Sequence, residues 1–528
     1  MHLVSLIAAF LLALFLMSST ALAQNHGGTL QVYHRDSPAS MSIYEETTIS
    51  TLMPTMGVFN NLVIFDPQKP QNRLDNIVPD LAEAWKWNDS GRELTVTLRH
   101  NIKWHDGNPF TANDVKCSWD LLTGKAKEKL RLNAREAWWA NLNEVSADNE
   151  TQVTFHLKRP QPSFLALLAS GLSPVYPCHV SPAAMRQHPL GTGPFRFVEF
   201  KPNQSIKLVR NPDYWKPDKP YLDAIEYTII PSRSTAMLAF TAGNFDLTFP
   251  YEITIAMLKE LRDRMPQAVC ETSAMNVAMT LSITQKPPFD NLELRRAMTL
   301  SLDRRAFIDI LGEGQGDVGT ALLPAPEGQW GMPEEMMQKL PGYDSDVKSS
   351  RTQAQEIVRS LGYGPENGMK LTITTRNLSD FRDPASIAAD QLKNVWIDSD
   401  VEPVETANFI PKLMRSEFSL ALTAIGSGLD DPDQTFYENY VCDSKRNYTH
   451  YCNHKVDELV DEQSMERDFS KRREMVWDID RQIQEDVARP ILFYMRKATC
   501  WSPAVKGLEL HVNSVYNGWR MEDVWLDR

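Results

Sequence analysis

The sequence has little of the material that several classes of protein require. It carries 55 Lys and Arg against 68 Asp and Glu, a formal net charge of −13, so it lacks the basic excess of a general nucleic-acid binder. Only 6 cysteines occur among 528 residues, which excludes a small disulfide scaffold but leaves one or two bridges possible. Hydrophobic residues make up 42%, an ordinary globular balance that excludes disorder. At roughly 150 residues per domain, the length predicts three or four domains.

Sequence motifs of common enzyme classes are also missing. No G-x-S-x-G, H-E-x-x-H or G-x-x-x-x-G-K-[ST] occurs. Residues 314–319 formally match G-x-G-x-x-G, but they follow a helical pattern instead of a strand, so a phosphate-binding loop is not expected. His105-Asp106-Gly107 is better explained as a turn at a strand end. We therefore expect a protein that is not an enzyme and that holds no cofactor and no resident metal.

The first 23 residues lack charge altogether. Leu3–Met17 is almost wholly apolar, and Ala21-Leu22-Ala23 then supplies an A-x-A site. This pattern predicts a secretory signal peptide cleaved after Ala23. The alternative is a membrane anchor, for which the apolar stretch is short against a hydrocarbon core of about 30 Å. Because no other stretch approaches 18 consecutive apolar residues, we expect an exported mature protein in which cysteines can pair.

Hydrophobic periodicity predicts an α/β protein. Apolar and polar residues alternate in Leu94–Leu98, Val153–Leu157 and Phe195–Phe200, a spacing of two that predicts antiparallel strands in the first half. Helical patterns dominate the second half, where Asp303 is placed to cap a helix. The apolar run Ile491–Met495 predicts a buried strand. Neither an internal repeat nor a long Gly/Ser linker occurs, which suggests domains connected by paired strands.

The segment CDSKRNYTHYCNH, Cys442–His454, allows two kinds of site. Cys442 and Cys452 would close a short disulfide loop, worth about 2–3 kcal/mol if unstrained. A metal site would instead use these two cysteines with His450 and His454, and free thiols are the third alternative. We take the disulfide as the expected state. Spacing alone does not pair the remaining cysteines, Cys117, Cys178, Cys270 and Cys500.

Aromatic clusters are candidates for the walls of a pocket. Trp138 and Trp139 are adjacent, and four tyrosines follow within a short stretch: Tyr437, Tyr440, Tyr448 and Tyr451. Core packing is the alternative for each of them. We take Trp138, Trp139 and Tyr437 as candidate ligand-binding residues.

The order of several short segments is informative. These segments are Val78–Trp85 (VPDLAEAW), Leu94–Asp120, Gly191–Phe195 (GTGPF), Asn211–Trp215 (NPDYW), Leu294–Arg304, Asp431-Pro432-Asp433 and Asn447–Val460. Together they resemble the signature of family 5 extracellular solute-binding proteins, the dipeptide- and oligopeptide-binding group of ABC importers. The resemblance extends over nearly the whole mature chain.

The resemblance implies a particular fold. It is an α/β, two-lobed periplasmic-binding-protein fold of type II (cluster C-like), with an extra N-terminal subdomain and two hinge strands, Met275–Ile283 and Ile491–Cys500. By analogy the chain divides into a signal peptide, 1–23; three segments of lobe I, 24–58, 188–271 and 500–528; an inserted subdomain, 59–187; and lobe II, 272–499.

The resemblance also implies a function. The protein would be the periplasmic substrate-binding component of an ABC importer, would close around a peptide-like or other small polar solute, and would dock on permease subunits at the inner membrane. We expect a monomer that binds no nucleic acid. The alternative is a periplasmic ligand sensor or chaperone-like binding protein on the same fold.

One departure from the family concerns the ligand. Its peptide binders typically hold the peptide amine with a carboxylate three positions before an Asp-Pro pair, where this sequence has Gly428. Asp430 could substitute only if the loop were rearranged. Since an unpaired buried ammonium is costly, the departure weakens a peptide assignment. Opines, oligosaccharides and nickel complexes are ligands of other members.

The remaining candidate ligand-binding residues lie in three segments. The loop before the Asp-Pro pair offers Gly426, Ser427, Gly428 and Asp430. The end of the first predicted strand offers Tyr33, His34 and Arg35. Arg376, Asn377 and Arg382 follow the predicted strand Leu371–Thr375 and could meet an anionic group of the ligand.

Overall fold

The computed structural model describes residues 24–512 and 516–528. The predicted signal peptide, 1–23, therefore lies outside the described residues. Among those that are described, no helix is both long enough and apolar enough to span a bilayer.

Strands and helices alternate along the whole chain. Numbered in chain order, the strands are β1 Thr29–His34, β2 Val63–Phe65, β3 Ile77–Pro79, β4 Ala82–Trp87, β5 Glu93–Leu98, β6 Leu142–Asn149, β7 Gln152–Leu157, β8 Phe195–Lys201, β9 Ser205–Arg210, β10 Ala224–Ile229, β11 Val269–Ile283, β12 Gly316–Asp317, β13 Met369–Arg376, β14 Ile397–Val404, β15 Leu420–Gly426, β16 Ile491–Trp501, β17 Val505–Lys506 and β18 Trp525–Leu526. The α-helices are α1 Ile49–Met56, α2 Ala112–Leu122, α3 Phe164–Ala169, α4 Pro182–Gln187, α5 Arg233–Thr241, α6 Ile255–Arg264, α7 Leu292–Ser301, α8 Arg304–Gly312, α9 Glu334–Met337, α10 Val347–Ser360, α11 Ser379–Leu392, α12 Thr406–Met414, α13 Pro432–Asn439, α14 His454–Met465 and α15 Phe469–Glu485.

The first lobe is built on the sheet β1-β10-β9-β8. Strands β1 and β10 are parallel, and β9 and β8 follow in antiparallel order. A separate antiparallel sheet, β4-β5-β7-β6, forms the inserted subdomain, and α2 packs on it. The alternating apolar residues of β5 and β7 point into one continuous core that joins this subdomain to the first lobe.

The second lobe is built on the six-stranded sheet β12-β16-β11-β15-β13-β14. Strand β13 is parallel to both β14 and β15, whereas β11 is antiparallel to β15 and β16. Helices α7, α8 and α11 bury their apolar residues on this sheet. The predicted cap of α8 is present, since the Asp303 carboxylate accepts a 3.0 Å hydrogen bond from the Ala306 N–H.

Two long strands connect the lobes. Strand β11 has 15 residues and β16 has 11. Their first-lobe parts pair as 269–274 with 496–501, the register shifts after Ala274, and pairing resumes at Ala278 with Tyr494. Beyond that shift β15 and β12 join them in the second lobe. Paired strands therefore take the place of a flexible linker at the hinge.

Three disulfide bonds stabilise the molecule. Cys270–Cys500 ties β11 to β16 at the first-lobe end of the hinge, and Cys117–Cys178 lies in the inserted subdomain. Cys442–Cys452, for which the sequence left three alternatives open, is also a disulfide. Its sulfurs are consequently not available as thiolate ligands, although His454 lies close to them.

The GTGPF segment explains why two glycines stand before β8. A Cβ atom on Gly191 would overlap the Val58 carbonyl oxygen, and one on Gly193 would lie 2.5 Å from the Val58 carbonyl carbon. The Gly193 N–H donates to that same carbonyl oxygen over 2.9 Å. Close backbone approach is therefore what these positions require.

We expect Gly191→Ala to destabilise the protein by about 1–3 kcal/mol or more, because rigid backbone must move to admit the methyl group. The matched control is Gly312→Ala at the end of α8, where a Cβ meets nothing within 4 Å. Alanine favours helix over glycine, so the control should keep or slightly raise stability. Denaturant unfolding of both variants measures the difference, and equal stabilities would contradict the packing argument.

Candidate functional site

A small cavity of about 90 Å³ lies between the two lobes. The first lobe contributes Arg35, Thr47, Thr48, Ile49 and Tyr251 to its wall. The hinge strands contribute Met275, Val277, Met279 and Met495. The second lobe contributes Arg376, Asp380, Phe381, Phe409, Arg446 and Tyr448, and Tyr516 approaches from the C-terminal segment. Methionine and aromatic side chains thus surround a small number of charged groups, as in many small-molecule sites.

A buried ion pair crosses from one lobe to the other beside this cavity. Asp36 follows β1 in the first lobe, and its Oδ2 lies 2.7 Å from Arg376 Nη2 at the end of β13. The Thr406 hydroxyl donates to the same oxygen over 2.5 Å. Burial opposes ionisation of Asp36, but the positive charges of Arg376 and Arg35 outweigh it and lower the pKa of Asp36 to about 2. Asp36 is therefore a carboxylate at neutral pH.

Asp380 is the centre of a second contact between the lobes. It stands in the first turn of α11 and forms ion pairs with Arg233 of the first lobe and with Lys497 of hinge strand β16. Arg35 Nη1 lies 3.4 Å from its other oxygen. Burial disfavours the carboxylate, yet Lys497 and the two arginines hold the pKa of Asp380 well below its usual range. Asp380, a residue of the second lobe, is therefore paired with cations of both the first lobe and the hinge.

Two of the predicted ligand-binding residues line the cavity, Arg35 and Arg376. Their neighbours Tyr33 and His34 are buried in the first-lobe core instead. His34 Nε2 lies 2.9 Å from the Ser50 carbonyl oxygen, and burial lowers the pKa of His34 to about 4. Asn377 and Arg382 are hydrogen-bonded to each other over 2.8 Å near the surface and lie outside the cavity wall.

The predicted loop Gly426, Ser427, Gly428 and Asp430 packs against other segments of the chain. The Gly428 carbonyl oxygen accepts hydrogen bonds from Asn72 and from Asn517. A Cβ atom on Gly426 would lie 2.7 Å from the Tyr516 ring, and Asp430 pairs with Arg73 over 3.1 Å. Ser427 donates to the Leu429 carbonyl. The loop therefore joins the second lobe to the inserted subdomain and the C-terminal segment and is absent from the cavity wall.

The predicted aromatic residues also lie away from the cavity. Trp139 packs edge to face on Trp119 and Phe164 in the inserted subdomain, and Trp138 is buried beside it. The Tyr437 hydroxyl donates to Asp461 over 2.6 Å and accepts from Arg159 of the inserted subdomain. Large aromatic side chains here serve the core and the contact between subdomains.

Several residues in or directly beside the cavity wall were not among the sequence candidates. Asp36 directly follows Tyr33, His34 and Arg35 in the sequence, and Asp380 lies between Arg376 and Arg382. The argument that selected these neighbours as candidates could therefore also have selected the two aspartates. Tyr448 belongs to the tyrosine cluster that was considered for a pocket wall, and it lines the cavity. Arg446, two positions before it, was not a candidate. No sequence pattern indicated Tyr516 as a cavity residue, because its position depends on how the C-terminal segment folds back.

The fold and the cavity define a class of protein. Two lobes connected by paired strands enclose a central cavity, and buried ion pairs hold the lobes together across it. This geometry is that of a two-lobed binding protein that closes on its ligand.

The comparisons with known proteins identify the family. Residues 76–447 match the family described as bacterial extracellular solute-binding proteins, family 5. The oligopeptide-binding protein AppA of Bacillus subtilis is 25% identical over 514 residues, covering 92% of this chain and 90% of the relative. The heme-binding protein A of Haemophilus influenzae is 26% identical over 398 residues, covering 71% of this chain and 70% of the relative. The chain belongs to the family 5 extracellular solute-binding proteins.

A solved structure has the same fold. The periplasmic binding protein DppA of Helicobacter pylori, solved with the peptide STSA, superposes with a TM-score of 0.84 at 23% identity, over 96% of this chain and 99% of that protein. The predicted two-lobed α/β fold is thereby confirmed.

We expect Asp36→Asn to weaken closure of the lobes, because it leaves Arg376 buried without its carboxylate. Breaking such a pair costs up to about 3–5 kcal/mol. The open fraction should therefore rise, and solute affinity should fall at least about tenfold. Small-angle scattering with and without solute measures this. A control is Glu313→Gln, which removes the more exposed pair between Lys259 and Glu313. Closure identical to the wild type in Asp36→Asn would contradict the expectation.

The same pair predicts a direction for pH. A carboxylate whose folded pKa is lowered stabilises the closed protein fully above its ordinary pKa of about 4 and loses that contribution as the pH falls towards about 2. The contribution of the Asp36–Arg376 pair to closure should therefore stay constant from pH 7 to pH 5, which scattering at several pH values measures.

Proposed function

We propose that this protein captures a small solute between its lobes outside the cytosol and delivers it to the permease of an ABC importer. The observation that carries the proposal is the cavity, whose wall is shared by the first lobe, the hinge strands and the second lobe. A ligand that contacts both lobes binds the closed form more tightly than the open one and therefore shifts the population towards closure. The permease would then recognise the closed form.

The proposed compartment is the periplasm. Three disulfide bonds occur in the described residues, and bonds of this kind persist in oxidising compartments. The uncharged, apolar N-terminal segment supports export by a signal peptide. Permease subunits at the inner membrane are the partners that this location offers, and a monomer is the proposed state.

The solute is proposed to be small, since the C-terminal segment fills part of the cleft. Tyr516 lies against Gly426 and lines the cavity. The Asn517 side chain bonds both Gly428 of the second lobe and the Gly171 N–H, the latter over 2.7 Å. An extended oligopeptide would have to displace this segment.

The carboxylate that holds a peptide amine in the family has no counterpart at the equivalent position of this sequence. The position three before Asp431-Pro432 is Gly428, and the nearby Asp430 is committed to Arg73 and, through its backbone carbonyl, to the Trp330 indole N–H. The Bacillus subtilis relative is an oligopeptide-binding protein and the Haemophilus influenzae relative a heme-binding protein, which supports a fold that accepts chemically different solutes. We therefore place this protein among the members whose ligand is not anchored by a free amine.

The proposal is tested by native mass spectrometry of the full mature protein isolated from the periplasm of its own cells. One small molecule should remain bound. After its removal by unfolding and refolding, its return should reduce the radius of gyration measured by small-angle scattering. The proposal would be contradicted if the protein retained no solute and stayed open after periplasmic extract was added. Chemical turnover of the bound molecule would contradict it as well.

A further inference from the structure

The surroundings of Arg446, a residue of the cavity wall, carry more positive than negative charge. Arg446 lines the wall from the second lobe, and its ion-pair partner is Glu438 in α13. Arg135 of the inserted subdomain and Arg489, just before β16, are buried near enough for Arg446 to repel both. Burial, together with this repulsion, lowers the pKa of Arg135 to about 9. Three guanidinium groups therefore share one carboxylate.

The partners of the two additional arginines are neutral. Arg135 donates to backbone carbonyl oxygens, among them that of Ile43 over 3.1 Å. Arg489 donates to the Ser282 hydroxyl and to the Asn439 side-chain carbonyl, each over 3.1 Å. Among the described residues, the ion pairs at this end of the cavity thus leave a surplus of positive charge. Buried charge of one sign is costly unless a counter-charge is supplied.

Hydrogen-bond donors at the same place have no acceptor. The Tyr448 hydroxyl and Arg446 Nε are both buried, and neither has a hydrogen-bond partner in the part of the chain that the structure describes. Tyr448 is 6% exposed and Arg446 is 5% exposed, and both residues line the cavity. Unsatisfied buried donors are uncommon in folded proteins, and together with surplus positive charge they indicate a site for an anion.

The other charged groups of the cavity wall are already paired. Arg376 is bonded to Asp36, and Arg35 lies near Asp380. Asp380, the one carboxylate that the described residues contribute to the cavity wall, is itself surrounded by Arg35, Arg233 and Lys497. Among the described residues of the wall, a cationic group on a ligand would find no carboxylate that is not already paired.

We propose that Arg446 and Tyr448 bind an acidic group, a carboxylate or a phosphate, on a solute whose apolar part lies against the methionine and aromatic wall. Arg446 Nε and the Tyr448 hydroxyl donate to the anion, and Arg135 and Arg489 add positive charge from behind. Charge-assisted hydrogen bonds of this kind are about twice as strong as neutral ones. The inference rests on the proposed function and specifies the class of solute, an organic anion without a required free amine.

The test uses the full mature protein, freed of bound solute, and probes that share one apolar body. N-acetylleucine is an anion, N-acetylleucinamide is neutral and leucinamide is a cation. In titration calorimetry, N-acetylleucine should bind at least about tenfold more tightly than the other two. Isobutyl phosphate, which carries the same branched chain, distinguishes a phosphate site from a carboxylate site by which anion binds more tightly.

Tyr448→Phe is the decisive variant. Because the Tyr448 hydroxyl has no partner in the described protein, its loss should leave the unfolding temperature without probe unchanged. Affinity for N-acetylleucine should nevertheless fall about tenfold. Tyr440→Phe is the matched control, since the Tyr440 hydroxyl is equally buried and without a partner but Tyr440 does not line the cavity. Arg446→Met should reduce binding of N-acetylleucine to that of the neutral probe.

The outcomes separate this inference from the proposed function. Wild-type affinity in Tyr448→Phe, or equal binding of the three leucine probes, would overturn the anion site. Failure to bind either anionic probe, in a protein that still closes on its co-purified solute, would overturn it too and leave the proposed function standing. A protein that neither retains a solute nor closes overturns the proposed function and this inference with it.

Discussion

The pairing of β11 with β16 is the constraint on which the rest of the molecule depends. These two strands run through both lobes, carry the Cys270–Cys500 bond at the first-lobe end and form the centre of the second-lobe sheet. Because the strands are hydrogen-bonded to each other, the lobes can rotate about the register shift near Ala274 but cannot separate. Motion is therefore restricted to opening and closing, which is the motion that a solute-binding protein uses.

Electrostatics makes the closed arrangement specific. Asp36 and Asp380 are buried carboxylates, and each receives cations from the opposite lobe or the hinge. Such pairs contribute little net energy compared with apolar contacts, but a lobe that closes in the wrong register leaves them unpaired at high cost. Closure is consequently selective for one geometry. That geometry also brings Arg446 and Tyr448 to the same cavity as Met275 and Met495.

The loop before the Asp-Pro pair shows how one fold serves different ligands. Asp431 caps α13 and receives both Nη atoms of Arg472, at 2.7 and 2.9 Å, so the Asp-Pro motif stabilises the loop itself. With glycine at position 428, the space beside the loop is taken by Tyr516 and Asn517. The framework of the loop is thus retained although position 428 carries no carboxylate.

Local patterns in the sequence were sufficient for much of the fold. The alternation in β5 and β7, the cap at Asp303 and the apolar strand after Pro490 are set by neighbouring residues, so they could be predicted without any tertiary information. The order of the motif blocks likewise indicated two lobes and hinge strands. The candidate site was predicted less well: Arg35 and Arg376 line the cavity, whereas Trp138, Tyr437 and the loop at Gly428 do not.

The reason for that division is physical. Secondary structure and helix capping depend on residues a few positions apart, and these local patterns can be read directly from the sequence. The cavity joins Arg35, Met275, Arg376, Arg446 and Tyr516, which are far apart in the chain and meet only when the lobes close. Whether an arginine faces a ligand or a carboxylate depends on the charge that the opposite lobe presents. The sequence by itself therefore determined the framework and the family, and the tertiary structure alone decided which side chains meet in the cavity and which charged groups pair there.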